Sequence, residues 1–231
     1  MSGKIVAIGN LKGGTGKTTI AVNLCGALAD GAGHPVALVD ADHQASASAW
    51  LAQTGEDGLS YYVLPLETTG NAHRWLGQVR ELAEENDYVL IDLPADIGPA
   101  TQAAVAGADL VLVPVTPSPL DFHAAAQVIK LLRGVREARS DGHPACLLFG
   151  SKVDRRTVVG RGIEIALKEF KEPVGPSVCQ RTAFVSAAVR GGWVGAYAAE
   201  SPARDEIAAL ANRVKQAAAS RPIGAEAAVA G

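Results

Sequence analysis

The sequence predicts an α/β fold, a single domain in which a mostly parallel, twisted sheet carries helices on both faces. Three observations point to it. Short runs rich in β-branched and other apolar residues recur at 5–8, 36–39, 88–91, 110–115 and 147–149. Each is apolar throughout instead of alternating, as strands buried on both faces must be. Helix-like stretches lie between the runs, the order that parallel strands need because each must be re-entered by a crossover. The 231 residues are 48% hydrophobic and 19% charged, enough for one well-buried core and incompatible with a disordered or fibrous chain. With a typical domain near roughly 150 residues, little is left for a second one. The domain is expected to span 1–216, with 217–231, thinning to small residues around Pro222 and Gly224, as a frayed tail.

In chain order, the first run leads from Ile8 into Gly9-Asn10-Leu11-Lys12-Gly13-Gly14-Thr15-Gly16-Lys17-Thr18-Thr19, and a helix-like stretch follows from Ile20 to Ala29. Strand, glycine-rich loop and helix in that order are the setting of a phosphate-binding loop. Gly13, Gly14 and Gly16 let backbone N–H groups turn toward an oxygen-rich anion, and the helix N-terminus adds its dipole. Lys17 is placed to reach β- and γ-phosphates, the Thr18 hydroxyl to ligate Mg²⁺, and Thr15 and Thr19 complete the nucleotide-contacting set. Lys12 is an extra cation in this loop, electrostatically costly unless an anion meets it. The second run ends in Val39-Asp40-Ala41-Asp42-His43-Gln44. Strand alternation sends Asp40 and Asp42 to the same side, at the sheet edge where α/β ligand sites form, and two acids there suggest metal and water handling. The third run ends in Asp92; four apolar residues followed by an acid is the Walker B form, which holds Mg²⁺ through water. After the fourth run Pro114, Pro117 and Pro119 stiffen the strand exit. Ser118-Pro119-Leu120-Asp121 reads as a helix start with an N-cap Ser, and Ser201-Pro202 begins another helix similarly.

The pattern from Lys12 to Thr19 resembles the deviant Walker A motif of the ParA/MinD family of P-loop ATPases, and Asp92 follows in the expected order as Walker B. The resemblance implies a P-loop NTPase of the deviant Walker type that hydrolyses ATP, favoured over GTP, with Mg²⁺. It implies a homodimer that sandwiches ATP, in which Lys12 reaches the phosphates held by the partner copy and stabilises charge there as an arginine finger does. Asp42 would position or activate the attacking water, and Asp40 would sit beside the metal with Thr18 and Asp92; His43 stands where the family has Pro. Leu93 to Asp96 takes the place of switch II in altered form. The segment 113–121 is similar to a proline-rich one in small ParA-type partition ATPases, including ParF, and there implies a dimer or higher-order contact. Asp154-Arg155-Arg156-Thr157 and Cys179-Gln180-Arg181 are similar to the D-x-R-T and I-x-R stretches of ParA proteins. A first strand beginning at the fourth or fifth residue resembles the short ParA type, which leaves site-specific DNA recognition to a ParB/ParG-like adaptor. The implied cycle is non-specific DNA binding by the ATP dimer, release when a partner stimulates hydrolysis, and positioning of a plasmid, chromosome or protein complex.

Formal net charge is −3, yet residues 1–150 carry 9 basic against 16 acidic side chains and residues 151–231 carry 12 against 8. An anionic partner therefore meets the C-terminal third, and Arg181, Arg190, Arg213 and Lys215 are expected to contact DNA phosphates. Cys25, Cys146 and Cys179 are odd in number and never form a CxxC pair, which fits a reducing compartment. No apolar run reaches the roughly 18 residues of a membrane span, and no signal-peptide h-region opens the chain. The expected location is the cytoplasm, on the nucleoid, without membrane attachment. Two other readings share the loop: a MinD-like positioning ATPase, disfavoured by an Ala-rich end with Arg221 its only base after Lys215, and a metabolic ligase of the dethiobiotin-synthetase type.

Overall fold

The computed structural model describes residues 2–30, 35–53 and 60–220. Among the described residues six strands form one sheet: β1 (Lys4–Ile8), β2 (Val36–Asp40), β3 (Ser60–Val63), β4 (Tyr88–Asp92), β5 (Leu110–Val115) and β6 (Ala145–Gly150). Their order is β3-β2-β4-β1-β5-β6, and every pairing among them is parallel. Five of the six coincide with the predicted runs. The sixth, β3, has the sequence Ser-Tyr-Tyr-Val with all four residues exposed on the sheet edge, so it lacked the buried apolar signature.

Pleat alternation divides the core into two layers. Val6, Ile8, Leu38, Leu90, Leu112 and Phe149 face α1 (Lys17–Ala29), α2 (Ser46–Leu51), α7 (Thr182–Val189), α8 (Val194–Tyr197) and α9 (Pro202–Ala219). Ala7, Val39, Val89, Ile91, Val113 and Leu148 face α3 (Ala72–Glu85), α4 (Pro99–Gly107), α5 (Pro119–Ala138) and α6 (Val158–Leu167). Both faces are therefore covered, and each fully buried Leu or Ile contributes about 1.5–3 kcal/mol. Helix α1 is buried nearly all round, and Gly26 gives way to an indole: a Cβ there would lie 2.2 Å from Trp193 Cγ.

Helix boundaries correct several expectations. α1 begins at Lys17, three residues before the predicted start, so the loop's last residues are already helical. α5 begins at Pro119 as expected, but the Ser118 side chain makes no capping bond, whereas Ser201 accepts one from the Arg204 N–H at 3.3 Å. α9 runs to Ala219 with Ala217 and Ala218 buried, so the tail does not start at 217. The remainder of the expected tail, with Arg221, Pro222 and Gly224, lies outside the described residues. Pro114 fits inside β5 because the pairing of β5 with β1 ends at Leu112, and only β6 accompanies it further.

The chain moves from β1 to β2 on one side and, after β4, crosses to β5 on the other. This reversal opens a crevice at the C-terminal end of β1, where the glycine loop emerges.

Candidate functional site

The loop is fixed from behind. Asn10, 1% exposed, donates through Nδ2 to the Pro114 carbonyl at 2.7 Å and accepts from the Lys12 N–H at 3.2 Å. The Ser151 hydroxyl, at the end of β6, donates to the Thr15 carbonyl at 2.7 Å. Gly14 and Gly16 take φ of +81° and +91°, and a Cβ on Gly16 would lie 2.9 Å from Ser151 Oγ. Around Gly13 and Gly14 a Cβ would meet nothing within 4 Å, so the loop surface is open. The first turn of α1 has no capping side chain and no acid, leaving its N–H groups and dipole directed at that space.

Carboxylates close the other side. The parallel register sets Asp40 beside Asp92 at the ends of β2 and β4. Thr18 Oγ1 donates to Asp92 Oδ2 at 2.7 Å, while Asp92 Oδ1 is buried with no hydrogen-bond partner among the described residues. Burial, reinforced by Asp40 and Asp42 and opposed by Thr18 and Lys17, pushes the Asp92 carboxyl up to about 7. Lys17 is buried too, and burial lowers its ammonium against the pull of Asp92, Asp42 and Asp96. A buried acid with an unpaired oxygen beside a metal-competent hydroxyl suits a divalent cation. Asp40 differs from expectation. β2 ends at Asp40, so Asp40 and Asp42 do not alternate along one strand; Asp40 accepts the Ser48 N–H of α2 at 2.9 Å and the Asp42 N–H at 3.3 Å. Asp42 lies in the following turn, half-buried, and accepts the Gln44 N–H at 3.0 Å, while His43 is exposed. Asp96 is exposed and takes the Gly98 N–H at 2.6 Å ahead of α4.

Beside the start of α1 opens a cleft of about 300 Å³ whose lining includes Gly16, Thr19, Lys152, Val178, Gln180 and Phe184. Lys152 has φ +52°, a strained conformation of the kind that gathers at ligand sites. The segment 173–180 builds one wall by hydrogen bonding along the outer side of β6 and its exit, including Val178 N–H to Gly150 carbonyl at 2.8 Å.

A family model described as the CobQ/CobB/MinD/ParA nucleotide binding domain matches residues 6–221. The chain belongs to this family. Among its relatives, the maintenance of carboxysome distribution protein A of Halothiobacillus neapolitanus is 31% identical over 90% of this chain and 95% of that protein. The chromosome-partitioning ATPase Soj of Thermus thermophilus is 33% identical over 90% and 94%. The Pyrococcus furiosus cell division ATPase MinD superimposes with a TM-score of 0.74 at 21% identity, covering 93% of this chain and 99% of that one, which shows a shared fold.

The glycine loop and the acid that ends β4 thus meet at the crevice. Sequence reasoning assigned no role to Asn10, Ser151, Val178 or Phe184, because none of them carries a local signal. The expected DNA residues are not all alike. Arg181, which enters α7, gives Nη2 and Nε to Glu206 at 2.6 and 3.1 Å and lines the cleft. Arg190 ends α7 with its guanidinium 4.7 Å from the Tyr197 ring centroid. Arg213 and Lys215 flank buried Val214 on α9, in the same helical layer. Among the described residues no helix is long and apolar enough to cross a membrane.

Proposed function

We propose that this ParA/MinD-type positioning ATPase hydrolyses ATP as a sandwich homodimer, binds DNA without sequence preference in that state, and is released when a ParB/ParG-like adaptor stimulates hydrolysis. The observation that carries this reading is the division of labour between two lysines on one glycine loop. Lys17 is buried and feels the charges of Asp92, Asp42 and Asp96, suited to the phosphates bound by its own chain. Lys12 lies at the open rim, 39% exposed in its side chain, suited to phosphates held by a second copy. Gly13, Gly14, Thr15, Gly16 and Thr19 supply the cradle, and the cleft beside Gly16 takes the base. Thr18 and Asp92, with Asp40 behind them, would hold Mg²⁺, which neutralises phosphate charge when bound. Asp42, tethered but only half-buried, orients the attacking water. Basic residues Arg190, Arg213 and Lys215 serve DNA phosphates, with Arg181 already matched by Glu206. The names of the relatives make a protein organelle or a chromosome the natural cargo.

Sedimentation with and without ATP, together with phosphate release, tests the reading. Lys12→Ala should remain monomeric and inactive, and Asp42→Ala should accumulate as the ATP dimer; a Lys12→Ala protein that dimerises and hydrolyses like wild type would overturn the trans role. Loss of random-duplex binding on neutralising Arg190, Arg213 and Lys215, with a steep salt dependence in the wild type, is expected. Co-sedimentation with anionic vesicles instead would favour the MinD-like alternative.

A further inference from the structure

Lys12 is not free in the single chain. Its ammonium pairs with Oδ1 of Asp121, in the first turn of α5, and the second oxygen of that carboxylate takes the Thr116 hydroxyl. The two partners differ sharply in exposure: the Asp121 side chain is 2% exposed, that of Lys12 39%. Asp121 Oδ1 has no hydrogen-bond partner, so among the described residues the Lys12 ammonium is the charge that compensates it. The same segment also grips the Lys12 backbone, through Asn10 and the Pro114 carbonyl. Residues 114–121 therefore hold the lysine at both ends.

We propose that Asp121 is a positioning residue that latches Lys12 onto its own chain, and that forming the ATP dimer requires this buried-carboxylate ion pair to open. The inference rests on the trans reading of Lys12. A phosphate presented by a second copy competes for the ammonium charge for charge. What remains is a buried carboxylate without its countercharge, and breaking a buried pair from one side is costly. Dimerisation is thereby held back until bound nucleotide supplies a stronger anion. The stiff proline segment gains a physical role in keeping Thr116 and Asp121 in register with the loop.

The test uses Asp121→Asn, with Asp121→Ser as a smaller second variant that still offers a hydroxyl to Thr116. Two readouts are taken on the full chain: acylation of the Lys12 amine by a limiting amine-reactive ester, followed by mass spectrometry without nucleotide, and the dimer dissociation constant with a non-hydrolysable ATP analogue. Opening one latch per chain should speed Lys12 acylation several-fold and lower the dissociation constant about tenfold. Thr116→Val, which loosens the same turn but keeps the carboxylate, should leave Lys12 protected. Unchanged acylation in both Asp121 variants would refute the ion pair in solution, and an unchanged or weaker dimer would refute the latch. A Lys12→Ala protein that dimerises normally would instead refute the trans reading, leaving the acylation result to report on the pair alone.

Discussion

Replacing Asp92 with Asn should strengthen the nucleotide-free fold while abolishing hydrolysis. The carboxyl is 1% exposed, one oxygen has no donor, and its neighbours include Asp40 and Asp42. Its folded value of about 7 lies above the 3.8 of an ordinary Asp, so the fold binds this proton more tightly than the unfolded chain does. The stability contributed by the neutral carboxyl is fully present below pH 3.8 and is lost as pH rises through about 7. At about 1.36 kcal/mol per unit, the ceiling is about 4 kcal/mol; relaxation toward Lys17 should leave about 2 kcal/mol, or about 4–8 °C in a chain of this size. Asn keeps a carbonyl for the Thr18 hydroxyl and mimics the neutral form. Urea and thermal melts of wild type and Asp92→Asn, without nucleotide, should show the variant ahead at about pH 8 and the gap narrowing by about 1–2 kcal/mol toward about pH 5. Phosphate release by the variant should fall at least about a hundredfold, since removing a preorganised electrostatic group costs that much. A variant less stable than wild type at the higher pH, or a gap independent of pH, would refute the reasoning.

Gly16→Ala forces a side chain onto φ +91° and against Ser151 Oγ. Left-handed backbone costs about 1–2 kcal/mol, so a fluorescent ATP analogue should bind about tenfold more weakly, measured by titration. Gly26→Ala drives a Cβ into the Trp193 indole and should destabilise by about 1–3 kcal/mol without altering the nucleotide crevice, read from the urea midpoint. Burial pushes the Cys25 thiol up to about 12 and Cys146 higher still, while Cys179 is only half-buried. A chromogenic disulfide at about pH 8 should therefore titrate no more than one thiol in the native chain and all of them after unfolding.

The strands were legible because a strand buried on both faces must be apolar at every position, and the runs ending at Ile8, Val39, Ile91 and Val115 are. β3 was not, since its residues lie exposed on the edge and their pairing with β2 is a long-range event. The glycine loop was legible for a local reason as well: positive φ at Gly14 and Gly16 and an open anion space are demands on consecutive residues. Ser201 capped its helix as its sequence indicated, yet Ser118 did not, because the first turn of α5 is drawn into the Thr116, Asp121 and Lys12 cluster.

By itself the sequence determined the α/β class and the family, and it singled out the glycine loop and the acid that ends β4, all features written in contiguous residues. Only the tertiary structure decided that Asp40 braces α2 instead of alternating with Asp42, that Ser151 and Asn10 anchor the loop, and that Arg181 is matched by Glu206. It alone joined Lys12 to Asp121, more than a hundred residues away. Such pairings depend on which strand ends the sheet order sets side by side, and on which charges burial leaves needing a partner, and neither is encoded in a local stretch of chain.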